Sequence, residues 1–198
     1  MAPRRRTRPP AIGGRPFSWP HDPFPASLSA GILILHPHAE AHMKQLNTLK
    51  AEGRIEEARQ HGLLQLIEHP THAELHYEVA GLHDMLGREA EAIPLYQKAV
   101  SLGLGEASLR GALLGLGSSY RTTGRHAEAL ATFDEALSRF PDAVEFKVFR
   151  AMTCYNLGRS KEGMETLLGI LATTTTDPAL LPYRRAMALY AEDLDRRW

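Results

Sequence analysis

The sequence has few of the features that mark membrane, secreted or redox proteins. It has one cysteine, Cys154, and a redox or nucleophilic role would need a second cysteine or an activating neighbour, so we expect a small buried apolar side chain. No apolar run approaches the ~18–20 residues of a transmembrane helix, and the run at 31–35 is too short for a secretory signal. Lys+Arg and Asp+Glu are equal at 23 each, which gives no general attraction to nucleic acid or membrane. We therefore expect a cytoplasmic protein with neither kind of partner.

Enzyme signatures are also missing. The chain has no GxxxxGK[ST] phosphate loop and no GxSxG nucleophile elbow. The segments 103–105 and 115–117 read Gly-Leu-Gly, but neither has the third glycine and preceding strand of a dinucleotide-binding motif. We predict no catalytic residue, no cofactor and no enzymatic activity.

A glycine-arginine pair is present four times at a regular spacing between residues 53 and 159. The pairs are Gly53-Arg54, Gly87-Arg88, Gly124-Arg125 and Gly158-Arg159. They are 34, 37 and 34 residues apart, and a fixed period of this size is typical of stacked helical repeats. The longer interval places an insertion of three residues in the connection 102–108.

Other residues recur at fixed distances from these glycines. Five residues after each glycine is a small residue: Ala58, Ala92, Ala129 and Gly163. Nine residues after, the middle units have the aromatics Tyr96 and Phe133, and Pro70 and Pro141 close the first and third units. Helical apolar patterns precede the glycines, so each unit is predicted to be a helix, a turn with glycine in a left-handed conformation, and a second helix.

This pattern resembles the tetratricopeptide repeat. The matching residues of the third unit are Gly117, Tyr120, Gly124, Ala129, Phe133, Ala136 and Pro141, and those of the second are Ala80, Gly87, Ala92, Tyr96 and Ala99. As a whole the chain is similar to small, single-domain bacterial members of that family. The resemblance implies an all-α protein, an α-solenoid of about four repeats that binds proteins or peptides.

The repeats are predicted to occupy 39–172, divided at about 39–72, 73–106, 110–143 and 144–172. Residues 173–198 are predicted to be a linker and a C-terminal capping helix over 178–196, because Asp177-Pro178 is a favourable helix start. Residues 1–38 are rich in Pro and Arg, with five arginines against one aspartate. We interpret them as disordered or as a mispredicted start, with a basic arm that contacts an acidic surface as the alternative.

Two histidine pairs are the only sign of unusual chemistry. His38 and His42 are four residues apart, as are His72 and His76, so the members of each pair share a helix face and could chelate a metal ion. The favoured interpretation is neutral imidazoles packed in equivalent places of two repeats. A metal site and a pH-sensitive contact remain the alternatives, and neither pair has the HExxH zinc-protease pattern.

The first helix of each repeat lines the concave face in tetratricopeptide arrays, where ligands bind. Helical phase there predicts a partner-binding set of Asn47, Lys50, Tyr77, Glu78, Leu114, Ser118, Arg121, Val148, Phe149, Met152 and Tyr155. Its character would change from basic through acidic to apolar, and the apolar end would anchor a partner or be covered by the terminal helix. Some family members grip a peptide's C-terminal carboxylate with Lys, Asn and Arg. Here the corresponding positions hold Glu78, Gly111 and Gly115, so we do not expect that mode of binding.

Three functions are therefore open from sequence. The first is a non-catalytic scaffold that binds a protein or peptide of unknown identity through the concave face. The second is a self-associating, homodimeric structural module. The third is a metal-binding protein that uses the two histidine pairs.

Overall fold

The computed structural model describes residues 37–197 of the chain, with side chains from Met43 onward. The N-terminal segment predicted over 1–38 falls almost wholly outside these residues. The described part is helical, and none of its helices is long and apolar enough to cross a membrane. In chain order the helices are α1 (Pro37–Ala51), α2 (Ile55–Glu68), α3 (Ala73–Met85), α4 (Glu89–Leu102), α5 (Glu106–Thr122), α6 (His126–Arg139), α7 (Val144–Asn156), α8 (Ser160–Thr174) and α9 (Arg184–Glu192).

These helices form the predicted solenoid. Helices α1 to α8 make four antiparallel pairs, each helix packs against the next, and α9 packs against α8. The first helices of neighbouring pairs also meet, α3 with α5 and α5 with α7, whereas no comparable contact joins α2 to α4, α4 to α6 or α6 to α8. The array therefore curves with the first helices on its inner side, and the all-α, repeat-based fold class is confirmed.

The glycine-arginine pairs form the turn inside each unit. The four glycines have φ values of +74°, +70°, +80° and +77°, which a residue with a side chain rarely adopts. The amide of the following arginine donates to the carbonyl five residues earlier, as in Arg54 N to Leu49 O at 2.9 Å. This bond closes the end of the first helix. Three of the arginine side chains pair with a glutamate three residues later, as Arg125 does with Glu128 at 2.9 Å, so they stabilise the turn locally.

The residues nine positions after the glycines pack between neighbouring units. Tyr96 lies against Gly115 of the next unit, where a Cβ atom would overlap its ring. Phe133 is fully buried, and its ring centroid is 6.2 Å from that of Phe149 in the next unit. Each such aromatic therefore fills the junction between two repeats, and Gly115 leaves room for the larger of the two.

Gly163 replaces the alanine that the other three units have five residues after their glycines. A Cβ atom there would lie 2.7 Å from the carbonyl oxygen of Ala151 on α7. Helices α7 and α8 thus approach more closely than a methyl group allows, which explains this departure from the repeat pattern.

The three-residue insertion lengthens a helix, not a loop. Helix α5 has 17 residues, whereas α3 and α7 have 13 each. The extra turn begins at Glu106, before residue 110 where the third unit was expected to begin, and only residues 103–105 connect it to α4. The added Leu109 packs against the main apolar core, so the insertion extends the packed face of α5.

The C-terminal helix is shorter than the sequence suggested. Asp177 accepts a hydrogen bond from the Ala179 amide at 2.8 Å, but only a turn and a 3₁₀ segment (Leu181–Tyr183) follow, and α9 begins at Arg184. Pro182 explains this difference, because its ring would clash with the carbonyl four residues earlier in a helix begun at 178. Helix α8 also extends two residues into the expected linker, to Thr174.

Candidate protein-interaction surface

We define the concave face as the surface made by the first helices α1, α3, α5 and α7. Polar side chains on this face are bonded between neighbouring helices. Lys50 Nζ of α1 lies 2.7 Å from Glu78 Oε2 of α3. Arg110 of α5 pairs with Glu145 of α7.

These ion pairs change the expected charge gradient. The basic side chain of the first unit and the acidic side chain of the second neutralise each other, because Lys50 and Glu78 are partners. Arg121 of α5 donates to the side-chain oxygen of Asn156 at 3.4 Å, which is a weak contact. Part of the polar surface of the concave face is thus occupied by bonds within the protein.

The fourth unit supplies the apolar end of the concave face. Val148, Phe149 and Met152 are half-buried on α7, and Phe149 packs against Phe133 of the preceding unit. Tyr155, at the end of α7, keeps 70% of its surface exposed. Helix α9 leaves Tyr155 exposed, because it packs against α8.

The other members of the predicted set differ in accessibility. Asn47 is exposed, and Tyr77, Leu114 and Arg121 are half-buried. Ser118 is only 6% exposed, so its predicted place in the accessible surface is corrected. Helix α5 is flanked by both α3 and α7, and a side chain as short as serine does not reach past them.

Asp84 of α3 lies buried between the second and third units. Its carboxylate accepts hydrogen bonds from the hydroxyls of Tyr96 at 2.8 Å and Ser119 at 2.9 Å. Burial raises the pKa of Asp84 to about 6, although both hydrogen bonds favour the charged form. Sequence reasoning missed this network, because nothing in the helical phase indicates that Tyr96 of α4 reaches the carboxylate.

The described histidine pair is engaged with the backbone. His72 is the N-cap of α3, and its Nδ1 accepts from the Leu75 amide at 3.1 Å. His76 donates from Nε2 to the Pro70 carbonyl at 2.9 Å. Burial lowers the pKa of His72, which suits a neutral imidazole acting as an acceptor. The side chains of His38 and His42 lie outside the described residues.

No cluster of three or more His, Cys, Asp or Glu residues in the described part of the chain is arranged to hold a metal ion. Cys154 is fully buried, and burial raises the pKa of its thiol.

A comparison of the sequence with models of known protein families agrees with the packing of the helix pairs. A family model described as "Tetratrico peptide repeat" matches residues 73–194, more than half of the chain. A second, described as "Tetratricopeptide repeat", matches residues 35–108. The chain belongs to the tetratricopeptide repeat family.

Among solved structures, this tetratricopeptide repeat protein is similar to one described as "Crystal structure of YrrB: a TPR protein with an unusual peptide-binding site". The TM-score is 0.60 at 16% sequence identity, and the match covers 78% of each chain. A likeness at this identity supports the shared fold. A comparison with curated protein sequences finds no match.

The three positions that correspond to the family's carboxylate clamp have other partners in this tetratricopeptide repeat array. Glu78 bonds to Lys50, and the hydroxyl of Tyr77 lies over Gly111 so closely that a Cβ there would overlap it. Gly115 is packed against Tyr96 in the same way. The two glycines are thus explained by the tyrosines that they accommodate.

Proposed function

We propose that this protein is a non-catalytic interaction scaffold that holds a peptide or a partner helix in its concave face. The observation that carries the proposal is the exposed Tyr155 at the apolar end of a face on which Lys50 pairs with Glu78 and Arg110 with Glu145. A partner gains little from groups that are internally bonded and more from covering Tyr155 with Val148 and Met152. Membership of the tetratricopeptide repeat family supports protein–protein interaction as the role.

The proposed partner presents an apolar or aromatic side chain to α7. Burial of a tyrosine and its apolar neighbours at the centre of an interface contributes about 2 kcal/mol or more to the free energy of binding. The ion pairs Lys50–Glu78 and Arg110–Glu145 already occupy four charged side chains of this face. The similar protein YrrB is described as having a peptide-binding site, which supports a peptide as the class of ligand here.

The test compares two variants in affinity capture from native lysate, followed by purification and a binding titration with the captured protein. Met152→Ala combined with Tyr155→Ala removes two of the four apolar side chains at this end of the concave face. We expect at least tenfold weaker binding, because about 1.4 kcal/mol corresponds to a factor of ten. The melting temperature of the variant shows whether the fold is intact.

The matched control removes two exposed apolar side chains elsewhere. Leu64→Ala combined with Ile67→Ala lies on α2, a second helix on the outer side of the array. The control is expected to bind as the unmodified protein does. Equal binding by both double variants, or a loss in the control alone, would place the partner outside the concave face.

A further inference from the structure

The last unit has an exposed face that its counterparts in the second and third units bury. The residue nine positions after the glycine is Tyr96 in the second unit and Phe133 in the third. Their side chains are 4% and 0% exposed, because the next unit covers each of them. The equivalent Leu167 of α8 is 36% exposed. On the same helix side, Met164 is 51% and Leu171 38% exposed, whereas their counterparts in the second and third units are buried or half-buried.

The first helices show the same difference at the residue three positions before the glycine. In three units this residue bonds to the next unit, as Lys50 does to Glu78, Asp84 to Ser119 and Arg121 to Asn156. In the fourth unit the residue is Tyr155, which is 70% exposed. We call the surface of Val144, Tyr155, Met164, Leu167 and Leu171 the end face.

Helix α9 leaves the end face uncovered because it packs on another side of α8. Lys161 of α8 pairs with Asp193 and, at 2.8 Å, with Asp195. A Cβ atom added to Gly169 of α8 would lie 3.6 Å from the Cβ atom of Ala191 on α9. In the third unit, the residues equivalent to Lys161 and Gly169 are exposed. Helix α9 therefore takes a place that has no counterpart between the other repeats.

The chemistry of the end face selects its occupant. Its members carry no charge, and α8 continues the same side with Ser160 and Thr174, which are also uncharged. Each of the three earlier units has at least one charged residue at the equivalent positions. An uncharged surface can meet an identical copy across a two-fold axis, because no like charges are brought together there.

Extension by the first unit of another copy fits poorly. At the two aromatic junctions, the residue nine positions after the glycine of one unit contacts the residue nine positions before the glycine of the next unit. These contacts are Tyr96 with Gly115 and Phe133 with Phe149. In a head-to-tail stack of copies, the second member of this pair would be Lys44, opposite Leu167. An ammonium group placed on a leucine without a partner loses hydration and gains no bond.

We propose that the end face is the interface of a symmetric dimer, in which the end face of one copy packs on the end face of a second. The end face shares Tyr155 with the concave face but does not include Val148, Phe149 or Met152. The exposed side chains amount to a patch of several hundred Å², the size of patch that marks an interaction site. It is smaller than the roughly 800 Å² per partner of a standard stable interface, so the dimer is weak, with a Kd on the order of 10 µM.

Sedimentation equilibrium over a range from about 1 to 200 µM spans this Kd. The unmodified protein is expected to change from the 22.0 kDa monomer to twice that mass. Met164→Glu combined with Leu171→Glu is expected to stay monomeric, since it places four like charges in the paired faces. Both substituted residues are exposed at one end of the array, and circular dichroism and the melting temperature verify folding.

Leu64→Glu combined with Ile67→Glu is the matched control, with the same added charge on exposed residues of α2. It is expected to dimerise as the unmodified protein does. A monomer at every concentration in the unmodified protein, or equal loss in both variants, overturns the proposal. Growth beyond the dimer would indicate head-to-tail stacking and also overturn it.

A cross-link distinguishes the symmetric arrangement from a dimer formed elsewhere. Leu167→Cys places a thiol near the two-fold axis, while Cys154 is buried. Mild oxidation is expected to link two copies through residue 167 at concentrations where the dimer forms. Absence of this link in a protein that sediments as a dimer contradicts the proposed interface. Partner binding by the Met164 and Leu171 variant is measured separately, so failure of the dimer does not affect the test of the concave face.

Discussion

The hydroxyl of Ser119 donates a 2.9 Å hydrogen bond to the carboxylate of Asp84, across the junction between the second and third repeats. The two residues are 35 positions apart and belong to first helices of adjacent units. Tyr96 donates to the other carboxylate oxygen, so two hydroxyls from different helices hold one buried acid. This network fixes the position of α5 relative to α3, but it does so with a charged group that has no cationic partner.

We predict that the Asp84→Asn variant gains stability relative to the unmodified protein as the pH rises. The pKa of Asp84 is raised by burial from 3.8 to about 6, so the folded state binds a proton more tightly than the unfolded state. Its contribution to the free energy of unfolding is therefore greatest below pH 4 and falls as pH rises to 6. At about 1.4 kcal/mol per tenfold difference in proton affinity, the loss approaches roughly 3 kcal/mol.

Urea unfolding of both proteins between pH 4 and pH 7 measures this difference. Burial also lowers the pKa of His72 and of His83, which acts in the opposite direction, so the informative quantity is the difference between variant and unmodified protein. Asp142→Asn, at an exposed site, is the control for the loss of one carboxylate. A difference for Asp84→Asn that stays constant across this range would contradict the assignment.

Gly115→Ala is expected to destabilise the junction between the second and third repeats. Its Cβ would overlap the ring of Tyr96, which cannot easily move because its hydroxyl is bonded to Asp84. Overpacking of this kind costs about 1–3 kcal/mol of the free energy of unfolding. Gly81→Ala is the matched control, since its Cβ would meet the Tyr96 hydroxyl at an ordinary 3.9 Å. The control should be neutral or stabilising by up to about 1 kcal/mol from helix propensity.

Gly163→Ala restores the residue found at this position in the other repeats, yet it is expected to lower stability. The added methyl group would lie 2.7 Å from the backbone oxygen of Ala151, which can move only if α7 and α8 separate. We expect a loss of about 1–3 kcal/mol in chemical denaturation. An increase in stability would show that the two helices relax without cost and would refute the close approach inferred here.

The ion pair of Lys50 and Glu78 is expected to couple the first two repeats weakly. Both side chains are partly exposed, at 28% and 21%, so solvent screens their attraction. A double-mutant cycle with Lys50→Met and Glu78→Gln should give a coupling energy below about 1 kcal/mol, decreasing at high salt. A coupling of several kcal/mol would indicate a desolvated pair and would give this part of the concave face a larger role in stability.

The sequence predicted the parts of the fold that follow from local rules. The positive φ of Gly53 and of its three counterparts follows from helix termination, and the helix pairs follow from the apolar period. The extent of α9 was wrong because the favourable start at Asp177 was weighed without Pro182, which prevents a continuous helix. The insertion before the third unit was assigned to the connection and in fact lengthens α5, since a spacing alone does not show which element grows.

The interaction surface was less accessible to sequence reasoning. Helical phase assigned Ser118 to the concave face, but its burial depends on how closely α3, α5 and α7 approach one another. The pairing of Lys50 with Glu78 depends on side chains from two repeats that phase treats separately. The exposure of Leu167 follows from the place that α9 occupies on α8, which no periodicity in the sequence specifies.

Site-specific photo-cross-linking tests the proposed role of the concave face most directly. A photoreactive phenylalanine analogue is introduced at Met152 on the concave side or at Ile67, which is 76% exposed on the outer side. After irradiation in native lysate, the probe at 152 is expected to join the protein to a different polypeptide, and the probe at 67 is not. Cross-links from 67 alone, or from 152 only to a second copy of this chain, would contradict the account.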